Sequence, residues 1–348
     1  MTESSKAVLM CAAAFVLAGC GQSAVPEQPL PPVNVQAASL KEGFTTLDRL
    51  AETARKEGGL NLIGLPRSWV NYGEIIDAFS EKYGIKVNEL EPDASSARQL
   101  VSNAKPDCYE LSLDTAVANA ARFAPYKVSG WHDLPDEVKQ PDGAWYANYG
   151  SYMSIGYNPA KAKPASFADL TKPGATVALA GDPRQDAAGF YGVMAASLRS
   201  GVPQPSQAVE LFSQLKGRMA DARTADVVID WDHVNAARAA KAPESWKVTI
   251  PRDAALGTFY VQAIAKNAPH PASARLWQEY LFSDEGQNLL QKGYARPVRA
   301  EAMLMRGTLD TEQAAKLPVA PGPPVLLTVP QTDAAKSYVR AKWSSVAG

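Results

Sequence analysis

The densest group of chemically useful side chains in the sequence is Asp230-Trp231-Asp232-His233. Residues two apart on a strand share a face, so the two carboxylates would lie roughly 7 Å apart with Trp231 on the opposite side. Paired carboxylates with aromatic neighbours suit an organic cation, through charge pairing and cation–π contact. The same residues fit three other readings. Two carboxylates at that separation match the acid and base of an inverting glycoside hydrolase. Asp230, Asp232 and His233 also resemble a metal set, although strand alternation would send them to opposite sides. Finally, Asp232 could cap a helix starting near Val234.

Other polar and aromatic groups sit where loops follow apolar runs. Arg67-Ser68-Trp69-Val70-Asn71-Tyr72 comes directly after a short apolar run, and Trp69 with Tyr72 would form a flat wall or pack beneath the loop. The next helix N-terminus would add N–H donors. Ser95-Ser96 follows a Pro92-Asp93 turn and suits either a ligand contact or a helix cap. In Gly181-Asp182-Pro183-Arg184-Gln185-Asp186, Asp182 reads as an N-cap with Pro183 at the first helical position. Arg184 and Gln185 are then free to point at a ligand. Tyr149, Tyr152 and Tyr260 are further wall residues.

No nucleophile elbow, zinc-protease helix, P-loop or dinucleotide fingerprint accompanies these groups. His132, His233 and His270 are scattered, and no catalytic residue, cofactor or metal is assigned. With 35 Lys and Arg against 36 Asp and Glu over 348 residues, the net charge is near −1, so no long-range field gathers nucleic acid. The chain is 46% apolar and 20% charged, a globular composition, and its length suits two domains.

At the start, a short segment containing Lys6 precedes the apolar run Ala7 to Leu17 and then Leu17-Ala18-Gly19-Cys20. That run is too short to span a bilayer. The small residues before Cys20 resemble a bacterial lipobox, which implies a signal peptide ending at a diacylated Cys20. A secretory signal with an incidental Cys20 is the plainer alternative. Cys11 leaves with the signal, so Cys108 alone belongs to the fold, and it reads as a small buried hydrophobe. From Gly21 onward the chain is Pro-rich and nearly uncharged to residue 40, a semi-extended tether.

The elements that must position these groups begin after the tether. Leu47 to Lys56 has helical spacing and stops at Gly58-Gly59, Leu60 to Leu65 reads as a buried strand, Tyr72 to Tyr83 as a helix capped by Gly84, and Ile85 to Leu90 as the next strand. This parallel βαβ unit predicts an α/β fold with its site at the strand ends. Trp145 to Tyr157 and Thr258 to Ala265 read as long strands. Between them Val177 to Leu179, Val227 to Trp231 and Val248 to Pro251 read as strands, and Ala187 to Leu198, Ala208 to Leu215 and Val234 to Lys241 as helices. Pro271 to Lys292 reads as a helix pair broken at Ser283-Asp284-Glu285, and a Pro-rich crossing from Leu317 to Pro330 leads to a last helix near Asp333 to Trp343.

Asn71-Tyr72-Gly73-Glu74-Ile75-Ile76, Lys82 to Val87, Ala268 to Leu276 and Phe282-Ser283-Asp284-Glu285-Gly286-Gln287 together resemble bacterial extracellular solute-binding proteins of ABC importers, in the branch of polyamine and ferric-iron binders. The resemblance implies a type II, two-lobed periplasmic-binding-protein-like fold, two α/β lobes joined by crossing strands. The implied division is 41–153 with 255–300 for lobe 1, 154–254 for lobe 2, and 301–348 for the C-terminal crossing and helix. The sequence departs from relatives by a short stretch between Ser96 and Pro106, and by Cys108 where Val is usual. A ferric site of that family has adjacent tyrosines in the second lobe, and Phe190-Tyr191 offers one. The expected function is capture of a small solute, with a polyamine-like or other organic cation favoured, and delivery to an inner-membrane ABC permease. The expected ligand contacts are Trp69, Tyr72, Ser95, Ser96, Tyr152, Arg184, Gln185, Asp230, Trp231, Asp232 and Tyr260. A monomer held outside the cytoplasm by its lipid is implied. The alternatives are an anion such as a phosphonate, held by Arg184 and helix N-termini, and a ligand-sensing lipoprotein or degenerate hydrolase without transport.

Overall fold

The computed structural model describes residues 30–346. The expected signal segment, Cys20 and the tether as far as Pro29 lie outside the described residues. The chain divides into a leading unit ending at Pro32 and a body starting at Val33. Residues 33–39, expected as the last part of a free tether, are instead bound to the body. Lys127 N–H donates to the Ala38 carbonyl at 2.7 Å, and the buried Arg275 donates through Nε to the Ala37 carbonyl at 2.9 Å. These contacts use backbone carbonyls, which every residue type carries, so composition does not reveal them.

Local signals set the first elements. The helix Leu47–Glu57 stops because Gly58 turns left-handed at φ 83°, and Tyr72–Tyr83 stops in the same way at Gly84, φ 67°. Ile75, Ile76 and Phe79 form the buried stripe of the second helix. The strands Leu60–Ile63 and Val87–Leu90 flank it and pair in parallel, as a βαβ unit requires.

A mixed sheet runs in the order Val87–Leu90, Leu60–Ile63, Cys108–Ser112, Gly257–Ala265, Tyr146–Tyr157, Val227–Trp231, Val177–Leu179. The strand Tyr146–Tyr157 carries the chain between the lobes. Tyr146 to Tyr152 pair antiparallel with Gly257–Ala265, and Met153 to Tyr157 pair antiparallel with Val227–Trp231. Twelve extended residues span about 40 Å, enough to serve both lobes. One apolar core gathers residues from Phe44 to Tyr149 and from Val261 to Val298, and a second gathers Met153 to Leu256 with Ala335, Val339, Trp343 and Val346. The C-terminal helix Val329–Lys342 therefore belongs to the second core.

The helix pair Pro271–Leu281 and Asp284–Lys292 explains the family-like motif as packing. Ser283 caps the second helix by accepting from Gly286 N–H, and a Cβ on Gly286 would fall 2.4 Å from the Tyr280 carbonyl oxygen. Buried Gln287 donates to the Leu281 carbonyl and to Asn148. Cys108 is buried, with its thiol pushed well up by desolvation, as expected for a structural cysteine. Among the described residues no helix is long and apolar enough to cross a membrane.

Candidate functional site

The pairing registers bring the carboxyl ends of the parallel strands in both lobes, at Ile63, Ser112, Leu179 and Trp231, toward the point where Tyr146–Tyr157 changes partner. In an open α/β sheet the crevice beyond these ends is where ligands bind. The loop after Ile63 enters it through a strained reversal. Val70 and Asn71 hold φ of 40° and 68°, and a β-branched residue at positive φ persists only where packing fixes it. Here the Val70 side chain is buried and Gly293 passes so close that a Cβ on it would fall 2.3 Å from the Val70 carbonyl carbon.

This reversal sets Trp69 between the lobes, packed against both cores. Its indole N–H donates to the Tyr149 hydroxyl at 2.7 Å, and its ring stands edge-on to His233 of the second lobe, centroids 4.7 Å apart. Behind Tyr149 lies Glu110, buried on the Cys108–Ser112 strand, with its carboxyl raised to about 7 by desolvation and pulled back by the nearby Tyr72, Tyr149 and Gln262. Tyr72, expected beside Trp69 on the wall, is wholly buried in this network and accepts from Asn148 at 3.0 Å. An inward-facing tyrosine on an amphipathic helix buries its ring and needs a polar partner for its hydroxyl.

The expected carboxylate pair does not share a face. The strand ends at Trp231, and Asp232 opens the helix Asp232–Lys241, so it turns away from Asp230. Asp232 is wholly buried and accepts from Ser151 Oγ at 2.7 Å, from Tyr152 N–H at 2.9 Å and from Arg296 Nε at 2.6 Å. Arg296 also donates to the Pro318 carbonyl and lies over the Tyr152 ring, while the Tyr152 hydroxyl donates to the Gly322 carbonyl. Asp232, Tyr152 and Arg296 thus form a charge-neutral knot at the lobe junction. Ser151 gives its proton to Asp232, so His233, 2.9 Å from Ser151 Oγ, donates from Nδ1. Burial lowers the His233 imidazole to about 4 and keeps it neutral. The metal set does not form: Asp232 is held by Arg296, and among the described residues no three His, Cys, Asp or Glu are grouped to hold an ion.

Asp230 differs from its neighbour. Its carboxyl is buried and accepts from Trp231 N–H at 2.7 Å, but makes no ion pair among the described residues. Desolvation raises it to about 7; Arg238 lowers it from longer range and Asp186 raises it. Its chain neighbour Trp231, on the other face of the strand, begins an aromatic series. Trp231 lies 5.2 Å from Tyr191 and 6.4 Å from Tyr260, and Tyr260 stacks on Tyr149 at 5.1 Å and stands 6.1 Å from Trp69. Burial holds the Tyr191 and Tyr260 hydroxyls up, with smaller contributions from Asp114 at Tyr191 and from Glu110, Tyr191, Asp186 and Asp230 at Tyr260. The crevice is therefore aromatic and acidic.

The remaining predicted residues sit elsewhere or are already engaged. Ser95 is exposed and caps Ser96–Val101 by accepting from Arg98 N–H, and Ser96 Oγ accepts from Ser112 N–H. Asp182 is not the cap expected. Asp186 caps Ala187–Ser197 through Gly189 N–H, and Asp182 instead accepts from Arg184 N–H in a turn and pairs with the Arg184 guanidinium at 2.6–3.1 Å. Arg184 is thus tied down rather than free, and Gln185 is exposed beside it. Spacing did not single out Glu110, Asp114, Asp186 or Arg296. Asp186 had a local signal, since it directly precedes an Ala-rich helix. Asp114 and Arg296 find their partners 222 and 64 residues away, and nothing near them in sequence marks this.

With this geometry the chain reads as a two-lobed binding protein. A family model described as bacterial extracellular solute-binding protein matches residues 112–318, more than half of the chain. The chain belongs to that family, which places its work outside the cytoplasm. Among curated proteins no sequence matches it. Solved structures match over nearly their full length. Iron-bound HitA from Pseudomonas aeruginosa is 19% identical, covers 82% of this chain and 99% of its own, and has a TM-score of 0.63. An ABC transporter substrate-binding protein from Bradyrhizobium japonicum USDA 110 is 17% identical, with coverages of 84% and 100% and a TM-score of 0.63. The ferric binding protein from Campylobacter jejuni is 16% identical, with coverages of 82% and 99% and a TM-score of 0.60. These likenesses establish the periplasmic-binding-protein-like fold, two α/β lobes joined by crossing strands.

Proposed function

We propose that this protein is the solute-binding component of an ABC importer and captures an organic cation of the polyamine class between its lobes. The observation that carries this reading is Asp230, a buried carboxyl with no ion-pair partner among the described residues, within electrostatic range of the Tyr260 hydroxyl. An ammonium group supplies the missing charge, and the ring faces supply cation–π contact. A ligand touching both lobes favours the closed arrangement, which the permease then receives. The printed names of two structural neighbours refer to iron, but here the sequence neighbour of Tyr191 is Phe190 rather than a second tyrosine, and its ring packs against Phe190 and Trp231. The anion reading loses its main donor because Asp182 already neutralises Arg184.

A thermal-shift screen tests the reading. Putrescine or spermidine at 100 times Kd should raise the melting point by about 4 °C. A rise with a phosphonate and none with either amine would overturn it. The pH dependence has a definite sign. A carboxyl near 4 when unfolded and about 7 when folded stabilises the fold in its protonated form, and that stability is lost as pH rises from 4 to 7. A cation needs the ionised form, so its affinity rises about tenfold per pH unit up to 7 and then levels off. Titration calorimetry in buffers of different ionisation heat should show proton release on binding below pH 7.

The anchor is part of the same proposal. Cys20 would carry lipid, with the segment to Pro32 acting as the spacer. Cys20→Ala should move the protein from the membrane fraction to the soluble extracytoplasmic fraction and leave amine binding unchanged. Equal fractionation of both proteins would rule the lipid out.

A further inference from the structure

We propose that Lys336 occupies one end of the cation site in the unliganded protein and is displaced by a second ammonium group of the ligand, so that it selects for polyamines over monoamines. The proposal rests on the cationic-ligand reading above. It starts from the helix Val329–Lys342, whose register is fixed by a full capping box between Thr328 and Gln331. Ala335 and Val339 bury one face in the second core, and Trp343 packs on Phe212 at 5.3 Å. Lys336 therefore leaves the helix from a fixed position and reaches the other lobe. Its Nζ lies 3.2 Å from Asp114 Oδ2 and 5.7 Å from the centre of the Phe190 ring.

Asp114 stands in the first turn of Leu113–Ala118, directly after the Cys108–Ser112 strand, and so belongs to the first lobe at the crevice end of the sheet. A carboxylate together with a ring face is the set that recognises an ammonium group. The aromatic series continues from this point: Phe190 lies 5.6 Å from Tyr191, Tyr191 5.2 Å from Trp231 and Trp231 6.4 Å from Tyr260, whose hydroxyl is within electrostatic range of Asp230. The crevice thus has two acidic ends joined by aromatic rings. At Asp114 the countercharge is the protein's own lysine; at Asp230 no ion pair is made among the described residues. A monoamine fills the Asp230 end and leaves Lys336 in place. A polyamine fills both ends, releases Lys336 to solvent, and joins the lobes through its own charges.

A lysine that only latches the rim predicts the opposite result, because its loss would weaken closure and hence binding. The test is calorimetric titration of the full chain with spermidine and with butylamine, for wild type, Lys336→Met, Lys336→Gln and Asp114→Asn, each checked by its melting curve. Both Lys336 variants should bind spermidine five- to tenfold more tightly and butylamine unchanged. Asp114→Asn should bind spermidine about tenfold more weakly and butylamine unchanged. Spermidine binding by the Lys336 variants that is equal to or weaker than wild type overturns the lysine's role while the cation reading stands. If wild type binds neither amine, the cation reading falls, and this proposal falls with it.

Discussion

Asp230→Asn should lower affinity for a polyamine by about 100-fold at pH 7.5 while leaving the fold intact. The loss follows from removing a buried carboxylate that makes no ion pair among the described residues: truncating one partner of a buried, hydrogen-bonded charge pair costs about 2–5 kcal/mol in binding. Stability should move the other way. Asp230 is held near 7 because burial disfavours its ionised form, so above pH 7 the native protein carries a buried charge that asparagine lacks. The variant's melting point should therefore equal or exceed the wild type's at pH 8, and its ligand affinity should lose its pH dependence between 5 and 7. Binding within threefold of wild type by calorimetry, under conditions where wild type binds, would remove Asp230 from the site.

The second large effect is on stability. Asp232→Ala should destabilise the protein by about 3–5 kcal/mol, because it strands the Arg296 guanidinium and leaves Ser151 Oγ and the Tyr152 N–H without their acceptor. Arg296 keeps its contacts to the Pro318 carbonyl and the Tyr152 ring, so the unpaired charge cannot simply swing into solvent. Removing both charges should be milder. In the double variant Asp232→Leu with Arg296→Met no charge is left uncompensated, and part of the loss should be recovered. Urea unfolding of wild type, Asp232→Leu, Arg296→Met and the double variant gives the coupling directly. A loss below 1 kcal/mol for Asp232→Ala would show that the knot at the lobe junction is not a structural tie.

Much of the fold was legible because its signals are local. The helix Tyr72–Tyr83 begins and ends where periodicity and Gly84 place it, and Val227–Trp231 is a fully buried strand bounded as expected. The family-like motif around Gly286 and Gln287 was legible for a similar reason: close backbone approach and buried amide bonds restrict those positions to few residue types. The site was legible only by residue type. Trp69, Trp231 and Tyr260 converge, but Tyr72 faces inward, Arg184 is tied to Asp182, and the expected carboxylate pair separates because the chain passes from strand to helix between Trp231 and Asp232. A pattern of period two holds only while the backbone stays extended, and the end of a strand is where a binding residue sits.

The sequence by itself determined the alternation of strands and helices, the buried place of Cys108 and the near-neutral surface, since each depends on composition or on neighbours within a few positions. Only the tertiary structure decided which acids keep their charge free. Asp232 meets Arg296 across 64 residues, Asp114 meets Lys336 across 222, and Asp230 meets no cation at close range among the described residues. The three aspartates are the same in type, and their difference lies in which charges the fold brings within 4 Å, because in a desolvated crevice a partner at that range sets whether a carboxylate is satisfied or waiting for a ligand.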